Sequence, residues 1–291
     1  MGAAVIGLDV SIPFRPGRAR NEGFRRLREL VPDLAYVQFV DGDCEIVAGW
    51  IEKAAAFLDA HPDIAVVSGR LRERYPERSI YNKLMAIEWD SHPRGEAKAC
   101  GGNALMRVDV FAAMNGYHSD LMAGEEPELC VRMRGAGWRI WFLNEHLAWH
   151  DAGMTRFGQW WKRAVRDGYT LAQVACLLAQ GACLHGAAPE EYRSIRRSLV
   201  RVLLRTWFWA LALPLAAFTL ALWWSLWALL LLLLYPLQII LVRVRGAYAP
   251  RRNRWHAVFQ VLANFAQILG QLRFLTDRCF QRQPRLIEYK S

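Results

Sequence analysis

A long uncharged segment constrains this chain more than any other feature of its sequence. Residues 206–242 contain no Asp, Glu, Lys or Arg, whereas about 18 consecutive apolar residues already indicate a membrane-spanning helix. One straight helix over the segment would measure about 55 Å, nearly twice the roughly 30 Å thickness of a bilayer's hydrocarbon core. We therefore predict a transmembrane helical hairpin, with crossings at residues 206–222 and 226–242 and a turn near Trp223, Trp224 and Ser225.

Arginines flank this segment on both sides. Five precede it and five follow it: Arg193, Arg196, Arg197, Arg201, Arg205, Arg243, Arg245, Arg251, Arg252 and Arg254. Positive charge on both flanks predicts an even number of crossings, with the soluble domain and both termini on the cytoplasmic side of the inner membrane. The alternative is a buried helical pair in a soluble core. The net charge of +10 is assigned to anionic membrane lipids, and no nucleic-acid-binding motif accompanies it.

The rest of the chain has the composition of a folded α/β protein. Its hydrophobic content of 54% excludes a disordered or collagen-like chain. Short apolar runs alternate with amphipathic stretches over residues 1–185, which predicts an α/β domain. Within it we expect strands and helices in the following places: strands at 35–40, 64–68 and 138–143, and helices at 46–60, 107–114 and 126–135.

Three further regions follow that domain. Residues 186–205 are predicted to be a basic amphipathic linker, 206–242 the hairpin, and 243–291 a basic loop, an amphipathic helix and a cytoplasmic tail. The helix is expected at residues 255–275, where apolar side chains recur every three or four positions: Val258, Leu262, Phe265, Ile268 and Leu272. This spacing gives one apolar face, so we predict that the helix lies in the membrane interface.

Two carboxylates follow the first predicted strand. Asp41 and Asp43 flank Gly42 directly after Val40, and ligands of α/β sheets bind beyond the carboxyl ends of strands. Carboxylate oxygens suit Mg²⁺ or Mn²⁺, which protein carboxylates often share with substrate phosphates. We expect a metal-bound diphosphate at this place. The alternative is an ordinary turn, because Asp-Gly is a common turn dipeptide.

Three acids stand where a loop enters a helix. Glu125, Glu126 and Glu128 surround Pro127, which suits the first position of a helix. One of these acids is a candidate general base for an acceptor hydroxyl. The alternative is that they only interact favourably with the helix dipole.

Two further segments carry weaker signals. Gly101, Gly102 and Asn103 form a small-residue turn, suited either to close approach of a ligand or to an ordinary turn. His150 ends an aromatic segment and is a candidate metal ligand or a structural histidine.

In this order the motifs resemble those of the family 2 glycosyltransferases, inverting GT-A-type enzymes that use nucleotide sugars. Residues 19–23 (Ala-Arg-Asn-Glu-Gly) are similar to the family's A-R-N-x-G, and residues 41–43 to its D-x-D. Residues 124–129 (Gly-Glu-Glu-Pro-Glu-Leu) are similar to its G-E-D-x-x-L. The likeness spans residues 10–165, and three ordered motifs are more specific than any one of them.

The resemblance implies a donor site and a metal site. Arg20, Asn21, Asp41 and Asp43 would contact the nucleotide-sugar donor. Asp43 would bind Mn²⁺ or Mg²⁺, Asp41 would lie near the ribose or the metal, and His150 would complete the metal site.

It also implies the catalytic and acceptor residues. Glu126, which stands where the family's motif has Asp, would be the catalytic base, with Glu125 beside it. Gly101, Gly102 and Asn103 would lie on the acceptor side. The reaction would be a direct displacement at the anomeric carbon, in which the metal stabilises charge on the departing diphosphate.

A stretch of aromatic and basic residues resembles the membrane-interface segment of membrane-bound members of the family. It contains Trp160, Trp161, Lys162 and Arg163, and it departs from the Q-x-x-R-W of processive synthases. This departure favours transfer of a single sugar, onto a lipid-linked saccharide acceptor.

The family usually carries a first strand and helix well before its D-x-D. The resemblance therefore implies that the first part of the nucleotide-binding sheet is missing or reduced in this chain, with residues 5–10 as its last strand. We expect a membrane-anchored inverting glycosyltransferase of cell-envelope or exopolysaccharide biosynthesis, working in a polysaccharide assembly complex. The alternative is a non-catalytic membrane interaction protein that retains the glycosyltransferase shell.

Overall fold

Two long parallel strands, β3 (Ile64–Glu73) and β6 (Arg139–His150), form the centre of the sheet. The first half of β3 is buried on both faces, as expected of a central strand with helices on either side. The computed structural model describes residues 3–89, 94–179, 189–245, 254–282 and 287–290.

Four shorter strands complete the mixed sheet within those residues: β1 (Tyr36–Phe39), β2 (Cys44–Ile46), β4 (Gly95–Ala97) and β5 (Ala104–Arg107). The strand order is β1-β5-β3-β6-β2, with β4 paired to β6. Every pairing given except that of β3 with β6 is antiparallel.

Helices cover the sheet and then form the C-terminal region. Those of the α/β part are α1 (Pro16–Leu30), α2 (Trp50–Ala60), α3 (Ile80–Trp89), α4 (Val108–Ala113), α5 (Glu125–Gly135) and α6 (Phe157–Ala179). The later ones are α7 (Pro189–Trp207), α8 (Leu213–Trp223), α9 (Leu234–Arg245) and α10 (Arg254–Cys279). The α/β prediction is confirmed.

Several predicted boundaries were wrong. The helix predicted at 46–60 begins only at Trp50, because Cys44–Ile46 pairs with β6 as strand β2 and Gly49 then turns the chain with a positive φ of 78°. The strands predicted at 64–68 and 138–143 continue to Glu73 and His150, since each pairs with the other along its whole length. Residues 5–10 form no strand.

The predicted hairpin segment is helical and turns where expected. A π-helical turn (Phe208–Ala212) joins α7 to α8, and a 3₁₀ helix (Leu226–Leu233) precedes α9. The chain reverses at Trp224 and Ser225, where the Ser225 hydroxyl accepts a hydrogen bond from the amide of Trp227 at 3.3 Å.

Much of this hairpin's apolar surface is uncovered. Leu222, Trp223 and Trp224 are each more than 80% exposed. Two helical segments, Tyr192–Trp223 and Leu226–Val244, are long and apolar enough to cross a membrane. Exposed apolar surface of this extent marks a contact with lipid or with another protein.

The side of helix α10 that faces the protein carries both polar and apolar residues, including Ile268 from the predicted apolar face. Asn264 and Gln271 are buried, and Gln271 Oε1 accepts a 2.8 Å hydrogen bond from the indole N–H of Trp207. Leu272, on the predicted apolar face, is 40% exposed, and Phe265 on that face contacts Tyr235 of the hairpin. That the helix lies in a membrane interface stays a prediction.

Helices α6 and α10 cross at glycines. A Cβ on Gly270 would lie 1.9 Å from the carbonyl oxygen of Val165, and one on Gly168 would lie 2.1 Å from that of Gln267. Both obstacles are backbone atoms, so a side chain at either position would force the helices apart.

We predict that Gly270→Ala lowers the melting temperature of the purified protein by several degrees, as expected for overpacking that costs about 1–3 kcal/mol. Gly158→Ala in α6 is the control, because a Cβ there meets nothing within 4 Å. Equal melting temperatures for the two variants would mean that the α6–α10 crossing is looser than described.

Candidate active site

The antiparallel pairing of β1 with β5 brings Asp41 next to Asn103. The register pairs Phe39 with Ala104, so the residues after β1 face those before β5. Asn103 Oδ1 accepts a hydrogen bond from the amide of Asp41 at 3.0 Å, and its Nδ2 donates to Asp41 Oδ2 at 3.0 Å. Asn103, expected on the acceptor side, therefore positions the Asp41 carboxylate.

Arg20 joins three carboxylates at this point. Its guanidinium pairs with Asp41 at 2.5 Å and with Glu126 at 3.1 Å, and it donates a short hydrogen bond to Glu125. Burial lowers the pKa of Arg20, but Glu126, Asp41 and Glu125 together raise it above its ordinary value. Arg20 is thus a permanent cation inside a cluster with more negative than positive charge.

The absence of a side chain at Gly102 leaves space for the side chains of Asp41 and Arg20. A Cβ at Gly102 would lie 2.5 Å from Asp41 Oδ2 and 2.9 Å from a guanidinium nitrogen of Arg20. Within the described residues, Gly102 lies close to the protein's own charged groups. Close approach of a ligand to this turn stays a prediction. Neighbouring Gly101 adopts a positive φ of 72°, a conformation that favours glycine.

The two glutamates at the start of α5 differ in their environments. Burial and the neighbouring Glu125 raise the pKa of Glu126 to about 7, although Arg20 opposes the shift. Glu125 is buried, and its second oxygen, Oε2, has no hydrogen-bond partner among the described residues. A carboxylate whose pKa lies near neutrality can exchange a proton with a substrate.

A second cluster lies at the same edge of the sheet, where β2 begins and β3 and β6 end. Cys44 of β2 and Glu73 of β3 are both paired in register with His150 of β6. His150 Nε2 lies 3.5 Å from Asp43 Oδ2, and its Nδ1 lies 2.9 Å from Glu73 Oε2. Burial lowers the pKa of His150, but hydrogen bonds with Asp43 and Glu73 raise it to about 9.

These groups fit a divalent cation. Ligand atoms of Asp43, Cys44 and His150 lie within 4.8 Å of one another, and Glu73 contacts the far nitrogen of His150. A carboxylate on the second nitrogen of a histidine is the usual way in which proteins orient a metal-binding imidazole. Burial raises the pKa of Asp43, but His150 and Lys290 hold it well below its ordinary value, so Asp43 is ionised.

Two of the possible ligands are less suited to a hard cation. Burial and the carboxylates of Asp43 and Asp41 raise the pKa of the Cys44 thiol far above its ordinary value, and a thiolate is a softer ligand than Mg²⁺ or Mn²⁺ prefers. Asp41, predicted as a metal ligand, is not part of the cluster, because Arg20 and Asn103 hold its carboxylate. Asp43 and His150 are the ligands that the geometry favours.

Three predicted site residues have other positions. The amide of Asn21 bonds to the backbone N–H and carbonyl of Tyr117 at 2.9 and 2.8 Å, so Asn21 fixes the loop after α4 and is not turned toward a donor. Trp160 is buried against Phe259 of α10, with ring centroids 4.8 Å apart, and Arg163 pairs with Glu88 at 2.7 Å. Trp161 is half-buried and Lys162 exposed. That this stretch lies at a membrane interface stays a prediction.

Two charged residues near this site were not predicted from the sequence. Glu73 lies 77 positions before His150, and only the parallel register of β3 with β6 brings the two together. Lys290 donates a hydrogen bond to Asp43 Oδ2 at 2.5 Å, although the two residues are 247 positions apart in the sequence. Neither residue belongs to a motif, so the sequence carries no local signal for them.

A cavity of about 610 Å³ opens beside the arginine cluster. Its polar end contains Asp41, Gly102 and Glu126, and its other end has an apolar wall. That wall is made by α5, α6 and α7 through Val131, Leu171, Val174, Leu178, Ile195 and Leu199.

Comparison with known proteins identifies the region around the first two motifs. Residues 9–115 match the family model described as Glycosyl transferase family 2, and they include Arg20, Asp41, Asp43 and the glycine turn. The chain carries a glycosyltransferase family 2 domain. The recognition from sequence motifs and the assignment to the glycosyltransferases are thereby confirmed. No curated protein sequence matches the chain.

Solved structures support the same fold. The mannosyltransferase PcManGT from Pyrobaculum calidifontis, in complex with GDP-Man and Mn²⁺, is 20% identical, with a TM-score of 0.55 over 90% of this chain and 67% of that chain. At this identity the likeness shows the GT-A-like α/β fold alone. TarS 1-349 from S. aureus, in complex with UDP-GlcNAc, is 12% identical with a TM-score of 0.43 over 90% of this chain and 72% of that chain; no conclusion depends on it.

We predict that Glu73→Gln weakens Mn²⁺ binding by about 10- to 100-fold, the usual cost of losing the partner of a metal-binding histidine. The control is Glu45→Gln in the neighbouring strand, whose side chain is 67% exposed. Calorimetric titration of both variants with Mn²⁺ measures the difference. Equal affinities would show that Glu73 supports only the fold.

Proposed function

We propose that this family 2 glycosyltransferase transfers a single sugar, with inversion, from a nucleotide-sugar donor to the hydroxyl of a lipid-linked acceptor at the cytoplasmic face of the inner membrane. The observation that carries the proposal is the position of Glu126, whose pKa is near 7. It lies beside the Arg20 cluster at the polar end of a cavity that continues along an apolar wall.

The donor side of the reaction uses the edge of the sheet that carries residues 41–43. Asp43 and His150 would hold a divalent cation, Mn²⁺ or Mg²⁺. Such a cation supplies charge stabilisation to the diphosphate as the bond to the sugar breaks. Asp41, fixed by Arg20 and Asn103, would lie between this site and the acceptor cavity, because it lines that cavity.

The acceptor side uses the start of α5. The acceptor hydroxyl must lose its proton as its oxygen attacks the anomeric carbon, and Glu126 takes that proton. Glu125 and Arg20 tune this base in opposite directions, since Glu125 raises the pKa of Glu126 and Arg20 lowers it.

The acceptor's lipid has a place in the apolar part of the cavity. The cavity wall extends from Glu126 along α6 to Ile195 and Leu199 on α7. Helix α7 leads directly into the first apolar segment, which ends at Trp223. A chain lying on this wall would therefore run from the base toward the bilayer, if the hairpin is membrane-embedded as we propose.

The exposed hairpin supports that membrane placement. No residue in the most apolar window of Leu226–Val244 is buried, and the arginines of α7 would lie at the level of anionic headgroups. The cell-envelope role and the polysaccharide assembly complex expected from the sequence remain part of this proposal.

We predict that Glu126→Gln lowers kcat by about 10²- to 10⁴-fold, the usual contribution of a general base. Wild-type activity should rise with pH through about 7, because Glu126 accepts the proton only when it is ionised. Transfer to a short polyprenyl-diphosphate-linked saccharide, measured from pH 5.5 to 9 with a panel of nucleotide sugars, tests both statements.

Glu125→Gln provides the matched control for that profile. Removing the charge of Glu125 removes one of the causes that raise the pKa of Glu126, so the midpoint should move to lower pH while transfer continues. A pH profile that is the same in the wild type and in Glu125→Gln would contradict the assignment of Glu126 as the base.

We predict that Val174→Trp reduces transfer to the polyprenyl-linked saccharide at least tenfold, because the indole would fill the apolar part of the cavity. Donor hydrolysis by water, which needs no lipid, should change less than twofold in the same preparation. Loss of both reactions together would instead indicate damage to the fold, and unchanged transfer would show that the acceptor lies elsewhere.

A further inference from the structure

Segment 287–290 crosses the sheet edge beside the candidate metal site. Lys290 Nζ donates to Asp43 Oδ2 at 2.5 Å and to the carbonyl oxygen of Asp151 at 2.7 Å. Asp43 supplies the carboxylate in the group of Asp43, Cys44 and His150 that could hold a metal. The ammonium of Lys290 therefore stands where a divalent cation would contact the same oxygen.

Two side chains of the segment hold Lys290 in place. Ile287 is buried against Met122 and Tyr169, and the guanidinium of Arg166 lies 4.6 Å from the ring of Tyr289. Tyr289 also packs against the cluster that contains Leu84. These contacts hold the backbone near Lys290, so rotation of its own side chain is enough to move its ammonium.

Lys290 also lines a separate groove of about 450 Å³, together with Asp43, Cys44 and Trp149. The acceptor cavity is lined by Asp41 and not by Asp43. Residues 41–43 thus lie between two openings, one containing the proposed base and the other containing Lys290. A donor whose diphosphate lies at residues 41–43 and whose sugar enters the acceptor cavity would extend its phosphates toward Lys290.

The charged groups that line this groove favour a role for Lys290 in binding an anion. The groove contains the carboxylates of Asp43, Glu45 and Asp151 and the cations Arg74 and Lys290. Arg74 is paired with Glu45 at 2.5 Å. A diphosphate that enters a site with several carboxylates needs additional positive charge, and Lys290 is an ammonium already aimed at the place where it would bind.

We propose that Lys290 is a ligand of the donor diphosphate: segment 287–290 keeps its ammonium on Asp43, and it exchanges that bond for one to the diphosphate when a divalent cation binds. This inference rests on the proposed function, because it requires a nucleoside diphosphate donor. It implies that Lys290 weakens binding of the metal alone, because both contact Asp43, and that it strengthens binding of a nucleoside diphosphate.

The test is calorimetric titration of the full-length protein in detergent, comparing wild type, Lys290→Met and Glu288→Gln. Methionine keeps an unbranched side chain that is one atom shorter and removes the charge, and Glu288 is an exposed residue of the same segment. The probes are Mn²⁺ alone, GDP and UDP with Mn²⁺, and GMP and UMP with Mn²⁺ as ligands that lack the second phosphate.

We expect Lys290→Met to bind Mn²⁺ alone about tenfold more tightly, because no ammonium has to be displaced. It should bind GDP or UDP about 10- to 100-fold more weakly, the range for a hydrogen bond between charged groups. GMP and UMP should bind it as they bind the wild type, and Glu288→Gln should match the wild type throughout.

Two kinds of result would contradict this proposal or the function on which it rests. Tighter Mn²⁺ binding with unchanged GDP and UDP binding would overturn the role in diphosphate binding, as would unchanged affinity for every probe. If the wild type bound neither GDP nor UDP in the presence of Mn²⁺, the proposed function would fail and this inference with it.

Discussion

The site depends on the guanidinium of Arg20, which holds together three carboxylates from two parts of the chain. Asp41 follows β1, and Glu125 and Glu126 begin α5, so without a shared cation their negative charges would repel one another across a partly buried space. The side chain of Arg20 is only 14% exposed, which makes its attraction to these groups stronger than at the surface. The same interaction limits how far the pKa of Glu126 rises.

Sheet register decides what surrounds that cluster. Antiparallel pairing of β1 with β5 places Asn103 on Asp41, and parallel pairing of β3 with β6 places Glu73 on His150. The two pairings meet at one edge of the sheet, so Asp41, which contacts Arg20, lies near the candidate metal site. The proposed reaction needs the base and the metal site at once, because the acceptor is deprotonated while the diphosphate departs.

Part of this arrangement could be predicted from the sequence. Arg20, Asp41, Asp43 and Glu126 belong to short motifs, and the uncharged hairpin segment was evident from its composition. Glu73 and Lys290 could not be found, because their partners are distant in sequence and only strand register and the packing of Ile287 bring them close.

Two sequence patterns in this chain have more than one physical origin. Aromatic and basic residues at Trp160 and Arg163 are typical of a membrane interface, but they also suit a buried ring and an ion pair within the protein. The spacing in α10 predicts one apolar face, but the helix buries Asn264 and Gln271 together with Ile268 of that face.

The central claim is that the edge of the sheet at residues 41–43 is a donor site for sugar transfer. The most direct measurement is release of nucleoside diphosphate from a panel of GDP- and UDP-sugars by the full-length protein in lipid nanodiscs, with Mn²⁺ and with its chelator. The account predicts release from at least one donor that requires the metal and is lost in Asp43→Asn. Release that persists in Asp43→Asn, or no release from any donor in the panel, would contradict it.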